Sequence, residues 1–425
     1  MYYCKEKLDY ETIRGLYSEG CTQNQLVGIE YELLPVDEVT DETILYGGEF
    51  GIKKFIEEFS RMHNWEHITD DGVLIGLKKG HNTITLEPGS QIEYSIQPQE
   101  SVRKLQEKIE QIDSDMSFLL YKYGIKLFNY GVAPMSTHKN INLLPKKRYK
   151  HMANYLWGIL SDVMMRETAG IQVGIDFSSE EDAMNKFLLA NLMSPFMTAA
   201  FANSSMRGGV DTGYKSFRAL AWLNTDNERC GFATKLIDNL TFDDYINSIL
   251  DTPMIFFTRG ENMIYLDGKI TFNHFLKQGY DGFEATVDDY LLHANLCFPD
   301  VRLRQFIEIR NHDCVGNGLE YAIPSIYKGI FYNQDSMDAV KELLSKFTGG
   351  DICEFRYNVP RFALKAKIKN VLAKDIALEI QKIAYDSLDK KNDADSEYIL
   401  PIMELTKKGL TPGDVNTYIK HINLC

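Results

Sequence analysis

Apolar positions recur along this chain with two different periods, and the switches between them lay out its elements. Helical spacing predicts helices over residues 9–26, over 50–63 with Phe55, Ile56 and Phe59 on one side, and over 101–123 with Val102, Leu105, Ile109 and Ile112 in register. Alternation with a period of two predicts strands at 73–78, 83–87 and 91–96, the first two joined by a Lys79-Gly80-His81-Asn82 turn. A strand at 126–132, a helix at 148–165 and a strand at 170–177 follow. Ser178-Ser179-Glu180-Glu181 reads as a helix cap opening a helix to about 202. Residues 203–214 are glycine-rich and read as a mobile loop. Helices at 243–250 and 287–296 precede a strand at 301–310, and then helical spacing prevails at 336–347, 364–388 and 399–408, with a charged, flexible break at 389–396. There is no regular strand–helix–strand rhythm, which predicts an α+β fold with a largely antiparallel sheet rather than a doubly wound one.

The polar side of these strands carries the chemistry. In Gly28-Ile29-Glu30-Tyr31-Glu32-Leu33 the two glutamates share a face while Ile29, Tyr31 and Leu33 turn inward. Glu87 aligns with Thr83 and Thr85, and Glu93 with Gln91 and Ser95, on either side of a Pro88-Gly89 bend. Gln172 and Asp176 oppose Ile171, Val173, Ile175 and Phe177. In the last strand Arg302, Arg304, Phe306, Glu308 and Arg310 form one row, either a surface ion-pair ladder or a wall for phosphate and metal. An isolated acidic pair is usually a solvated strand face. Recurrence in four segments favours a shared site, since gathered carboxylates need cations to neutralise them, and oxygen ligands suit magnesium beside phosphate.

Charge and cysteines narrow the context. A net charge of -14 over 425 residues argues against nucleic acid or an anionic membrane as the main partner. Seven scattered cysteines, an odd number with no CxxC pair, fit a reducing compartment, and we expect the cytoplasm. The polar Met1-to-Lys7 stretch does not read as a signal peptide, and no apolar run reaches the roughly 20 residues of a membrane span. Two motifs are decoys. His63-Asn64-Trp65-Glu66-His67 spells HxxEH, but the helix is ending there, so the two histidines are not expected on one helical face. Gly208 to Ser216 approximates a phosphate-binding loop, but Tyr214 stands at the lysine position and no strand precedes it, so a glycine-rich lid is the better reading.

Taken together, several segments resemble the glutamate–cysteine ligases, in particular the plant and proteobacterial type. They are Gly28 to Glu32, Leu86-Glu87-Pro88-Gly89-Ser90-Gln91-Ile92-Glu93, Met165-Arg166-Glu167-Thr168 with Ile171 to Phe177, Ala202-Asn203-Ser204, Arg218 with Trp222 and Thr225 to Arg229, and Phe298 to Arg310. The order holds down to Leu410-Thr411-Pro412-Gly413. The resemblance implies a catalytic fold like that of glutamine synthetase, a curved antiparallel sheet forming a funnel flanked by helices. We expect residues 1–330 to be catalytic and 331–425 to be a helical extension packed on the same unit. It implies that the γ-carboxylate of glutamate attacks the γ-phosphate of ATP, and that the cysteine amine then displaces phosphate from γ-glutamyl phosphate. The products would be γ-glutamylcysteine, ADP and phosphate, the first step of glutathione-type thiol synthesis.

By position, Glu30, Glu32, Glu87, Glu93 and Glu308 would ligate magnesium (or manganese), and Gln172 would stand where a more distant bacterial branch has a histidine ligand. Arg310 would contact the nucleotide and the transferred phosphate beside Glu308, Arg218 the α-carboxylate of glutamate, and Arg304 phosphate. The expected partners are glutamate, cysteine and ATP, with the chain a monomer or homodimer. Ser205-Met206 departs from the family pattern, which leaves the acceptor less fixed than the donor, and no cysteine pair matches a plant-type regulatory disulfide. A ligase for another amine, or a silent binding homologue, are the alternatives.

Overall fold

The computed structural model describes residues 8–234 and 239–416; the Met1-to-Lys7 stretch and Cys425 lie outside the described residues. One large sheet organises them. Its strands are β1 (Val27–Asp37), β2 (Glu66–Asp70), β3 (Val73–Lys79), β4 (Asn82–Leu86), β5 (Ile92–Gln99), β6 (Ile125–Phe128), β7 (Gly170–Ile175), β8 (Val301–Leu303) and β9 (Ile307–Asp313). The order across the sheet is β8-β9-β7-β1-β5-β4-β3-β2, with β6 against the C-terminal part of β1. All of these pairings are antiparallel, and the sheet is open rather than a closed barrel. The expected α+β architecture is thus observed.

Alternation buries one face. Ile29, Tyr31, Leu33, Ile84, Tyr94, Ile96, Ile171, Val173, Ile307 and Ile309 are all buried. Behind them pack the helices Val102–Tyr123, Glu180–Ala200 and Ala322–Phe331. Helix Val102–Tyr123 starts at Ser101, whose hydroxyl accepts from the Lys104 amide. The buried Asp395 adds a second cap, accepting from the Val102 amide at 2.8 Å while also pairing with Lys328. The charged segment 389–396 is therefore no flexible break, because Asp395 ties the turn Ala394–Ile399 to both elements.

Tertiary contacts moved other boundaries. The first helix spans only Tyr10–Ser18, because the chain then turns to bond Thr22 to Phe177 at the end of β7. The helix expected at 148–165 is two, Lys147–Tyr155 and Ser161–Glu167. The backbone between them docks on residue 224, with Leu160 N donating to Asn224 O. The single strand expected at 301–310 is a hairpin, turned where Arg304 N bonds Phe306 O at 2.8 Å. The loop expected at 203–214 contains a small hairpin, Met206–Arg207 with Val210–Asp211, anchored where Arg207 meets the fully buried Glu167. In the HxxEH motif, His63 ends helix Ile52–His63 and His67 lies in β2, so the two share no helical face. Among the described residues no helix is long and apolar enough to cross a membrane.

Candidate active site

The face of the sheet turned away from the apolar core gathers the carboxylates, through register. Glu30 lies opposite Gln172 on one side and Ser95 on the other, Glu32 opposite Glu93, and Glu93 opposite Thr85. Arg302 lies opposite Glu308, the hairpin having moved it from along the strand to across it. Glu87 stands just beyond β4, in a turn closed by Glu87 N to Gln91 O at 2.9 Å and Ser90 N to Glu87 O at 2.8 Å. Glu30, Glu32, Glu87, Glu93, Gln172 and Glu308 all line a single cavity of about 360 Å³, together with Arg302, Arg304 and Arg310.

Polar contacts knit the face laterally. The Gln172 amide donates to Glu32 at 2.9 Å and reaches Glu93 at 3.5 Å, while its oxygen accepts from Arg310. Arg310 also donates to Glu308 at 3.1 Å, and Arg302 Nε donates to the same Glu308 oxygen at 2.5 Å. Glu32 accepts from the Gly170 amide, and Glu93 accepts from Thr85 at 2.9 Å.

These surroundings divide the carboxylates electrically. Burial, joined by the charge of Glu308, raises Glu30 to about 7. Burial and Glu32 raise Glu87 to about 7, and burial among Glu30, Glu87 and Glu32 pushes Glu93 well above the carboxylate range. Burial would raise Glu308 too, but Arg302, Arg310 and Arg304 outweigh it and hold that carboxyl well below its ordinary value.

The residues fit a divalent cation in donor chemistry. They offer hard carboxylate oxygens, and Glu308 Oε1 is buried without a hydrogen-bond donor, Arg304 Nε lying 3.6 Å away. They do not form a ready chelate: among the described residues no three acidic, histidine or cysteine side chains are drawn together closely enough to hold an ion. Arg302, Arg304 and Arg310 all lie within 4 Å of Glu308, whereas among the described residues the arginines and lysines near Glu30 and Glu87 act from a greater distance.

Arg218 is the candidate that lies apart. It is buried outside the carboxylate cavity, donating to the Arg310 carbonyl at 3.0 Å, and lines a smaller pocket that shares Trp222, Phe298 and Arg310 with the larger one. A Cβ on Gly170 would come within 2.4 Å of its guanidinium, so that position must stay bare for Arg218 to pack there. The cavity also has a cationic residue that motif reading passed over, Arg148, whose guanidinium sits 5.0 Å from the Tyr149 ring. The Lys146-Lys147-Arg148 run in an otherwise acidic chain was the available signal.

Comparison with known proteins identifies the family. The model of glutamate–cysteine ligase family 2 matches residues 26–415. The chain belongs to the glutamate–cysteine ligase family. The chloroplastic glutamate–cysteine ligases of Nicotiana tabacum and Arabidopsis thaliana are each 30% identical to this ligase over 96% of its chain and 79% of theirs. Its fold matches the crystal structure of the Francisella tularensis glutamate–cysteine ligase in complex with AMP, with a TM-score of 0.54 at 12% identity over 93% of this chain and 84% of that one. The expected enzyme class is borne out, and ligation of glutamate to cysteine is the activity for which the family is named. The expected cytoplasmic location is corrected: the relatives from tobacco, tomato, rice and Arabidopsis are named chloroplastic. Dispersed cysteines, unpaired among the described residues, fit a reducing compartment and do not single out the cytoplasm among such compartments.

Proposed function

We propose that this ligase joins the γ-carboxylate of glutamate to the amine of cysteine at the expense of ATP, through γ-glutamyl phosphate. One observation carries the reading: five glutamates, Gln172 and four arginines line one cavity over the sheet. Attack of a carboxylate on a triphosphate brings two anions together, so the site must offset their repulsion and hold them in line. Glu30, Glu32, Glu87, Glu93 and Glu308 would hold magnesium or manganese, which supplies positive charge to the phosphate oxygens. Gln172 serves as a connector, its amide linking the carboxylates of β1 and β5 to Arg310. Arg310 would meet the transferred phosphate and the nucleotide, and Arg304, at the cavity wall, phosphate as well.

Arg218 would meet the α-carboxylate of glutamate; its Nε has no partner, and its pocket opens beside Trp222 and Phe298 of the main cavity. Residues 1–330 would form the catalytic part and 331–425 an extension on the same unit, a reading supported by the packing of helix Ala373–Asp389 on helices Glu180–Ala200 and Ala322–Phe331.

Phosphate release from ATP, measured with glutamate while acceptor amines are added singly, tests the proposal. Release should require glutamate and be fastest with cysteine. Release indifferent to glutamate would refute the ligase reading, and preference for another amine would replace the acceptor.

A further inference from the structure

Arg302, Arg304, Glu308 and Arg310 all ride on the β8–β9 hairpin, whose closed end is the Arg304–Phe306 turn. Its open end is fastened by Asp300. This residue stands just before β8, one step beyond the Val301–Ile309 pair, and its carbonyl accepts from the Arg310 amide at 2.9 Å. The Arg310 carbonyl in turn accepts from Arg218, so the Arg310 backbone is held on both sides. The Asp300 amide donates to Gly231 O at 2.7 Å. The Asp300 carboxylate is filled from elsewhere in the fold. Arg356 donates to both oxygens, Nε to Oδ2 at 3.0 Å and Nη2 to Oδ1 at 2.9 Å, and Ser194 Oγ donates to Oδ2 at 3.1 Å. Arg356 ends helix Gly349–Arg356, in a stretch of chain that contributes no residue to the carboxylate cavity. Its seat is shaped for a guanidinium. The Phe232 ring lies 5.1 Å from it, and a Cβ on Gly231 would come within 2.5 Å of its Nη1. Gly231 also has a φ of +91°, so the backbone and the close approach both call for glycine there.

We propose that Arg356 is a positioning residue for the ligase reaction: through Asp300 it clamps the open end of the hairpin, and so sets where Glu308 and Arg310 stand at the cavity. This rests on the roles proposed above for those two residues. A fork that meets both oxygens of a carboxylate fixes orientation as well as distance, which a single point charge does not. Both side chains are largely shielded from water, so the pair is held more firmly than an exposed one. Arg356 does not line the carboxylate cavity, and two of its donors are already taken by Asp300, so it acts on that cavity through the hairpin. A displacement of about 1 Å at a reacting group can cost on the order of a hundredfold in rate, which is how a fastening remote from the chemistry bears on turnover.

The test compares the wild type with Arg356→Met and Arg356→Lys, at a temperature where circular dichroism shows each of them folded. Amide hydrogen exchange over residues 298–313 is read beside exchange in β1 and β5, and turnover is measured in parallel. Arg356→Met should speed exchange over 298–313 by about tenfold or more and leave β1 and β5 near their wild-type rates. Its kcat should fall about tenfold or more, with the KM values for ATP, glutamate and cysteine held within about twofold. Arg356→Lys should recover part of both effects, and it covers the case in which the methionine variant does not fold. Unchanged exchange over 298–313, or exchange raised equally across the sheet, would overturn the clamp. So would a normal kcat, which would leave Arg356 a purely structural residue, or a rise in the KM for glutamate alone, which would make it a substrate contact. Because exchange needs no turnover, a wild type without glutamate-dependent phosphate release would count against the ligase reading and leave the clamp to be decided by exchange.

Discussion

Glu308 and Glu93 are both buried carboxylates on one face of one sheet, yet they are electrical opposites. Glu308 sits at the β8–β9 edge among Arg302, Arg304 and Arg310 and is held ionised. Glu93 sits at the centre among Glu30, Glu32 and Glu87, with hydroxyls and an amide for company, and is driven toward its neutral form. Burial is common to both, so it is the neighbours that decide. The edge carries its own counter-charge from the protein, while the centre is short of positive charge. That shortage is what a substrate-borne or metal cation would relieve, and it divides the face into a permanently balanced part and a part balanced on loading.

The largest expected effect breaks the central half. Glu30→Gln removes a charge but keeps the shape, and should lower kcat by about a hundredfold or more while leaving the fold intact by circular dichroism. Glu308→Gln should lower turnover comparably, and in addition destabilise, because it strips the arginines of their shared partner. Near-normal turnover in both variants would dissolve the proposed roles and the comparison with them. Next is Arg302→Ala. This guanidinium is buried and is bonded to Glu308 and to the Cys297 carbonyl, so its loss should cost about 3 kcal/mol in denaturant unfolding.

The comparison also explains what the chain disclosed beforehand. Period-two alternation around Glu30, Gln172 and Glu93 was enough to put them on a common face, because the apolar partners Ile29, Val173 and Tyr94 can face only the core. The pairing of Arg302 with Glu308 was read as a row along one strand. The Arg304–Phe306 turn that converts it to a cross-strand pair has no glycine or proline to announce it. Strand β2 escaped notice for a related reason: Glu66-His67-Ile68-Thr69-Asp70 has little apolar alternation, and it lies at the sheet edge with much of its surface exposed. Arg218 shows the limit of motif transfer, since the match gave its position but not its burial beneath Gly170.

A smaller effect sharpens the contrast through pH. Glu30 and Glu87 titrate near about 7 in the folded protein against an ordinary 4.5. The folded chain therefore binds more protons than the unfolded one between these values, so metal-free stability should fall as pH rises from about 4.5 to about 7. Glu308 acts in the opposite sense, since its depressed value contributes stability that is lost only in stronger acid. Magnesium with nucleotide should flatten the fall and release protons near pH 6.5, which calorimetry in buffers of different ionisation enthalpy would detect. A profile with no fall over this window would mean that the centre is not short of positive charge.

The smallest stability effect belongs to Arg304→Ala, and it is informative because it is small. Arg304 Nε lies 3.6 Å from Glu308 Oε1, and the side chain remains more than a third exposed, so the ion pair should contribute less than about 1 kcal/mol. Arg302, on the other side of the same carboxylate, makes the shorter contact and is buried. A guanidinium that matters little to the fold but faces the cavity is free to bind a ligand. Arg304→Ala should thus shift the denaturation midpoint only slightly while raising the KM for ATP several-fold. A large loss of stability with unchanged KM would place Arg304 with Arg302 in the balanced edge and remove it from the phosphate wall.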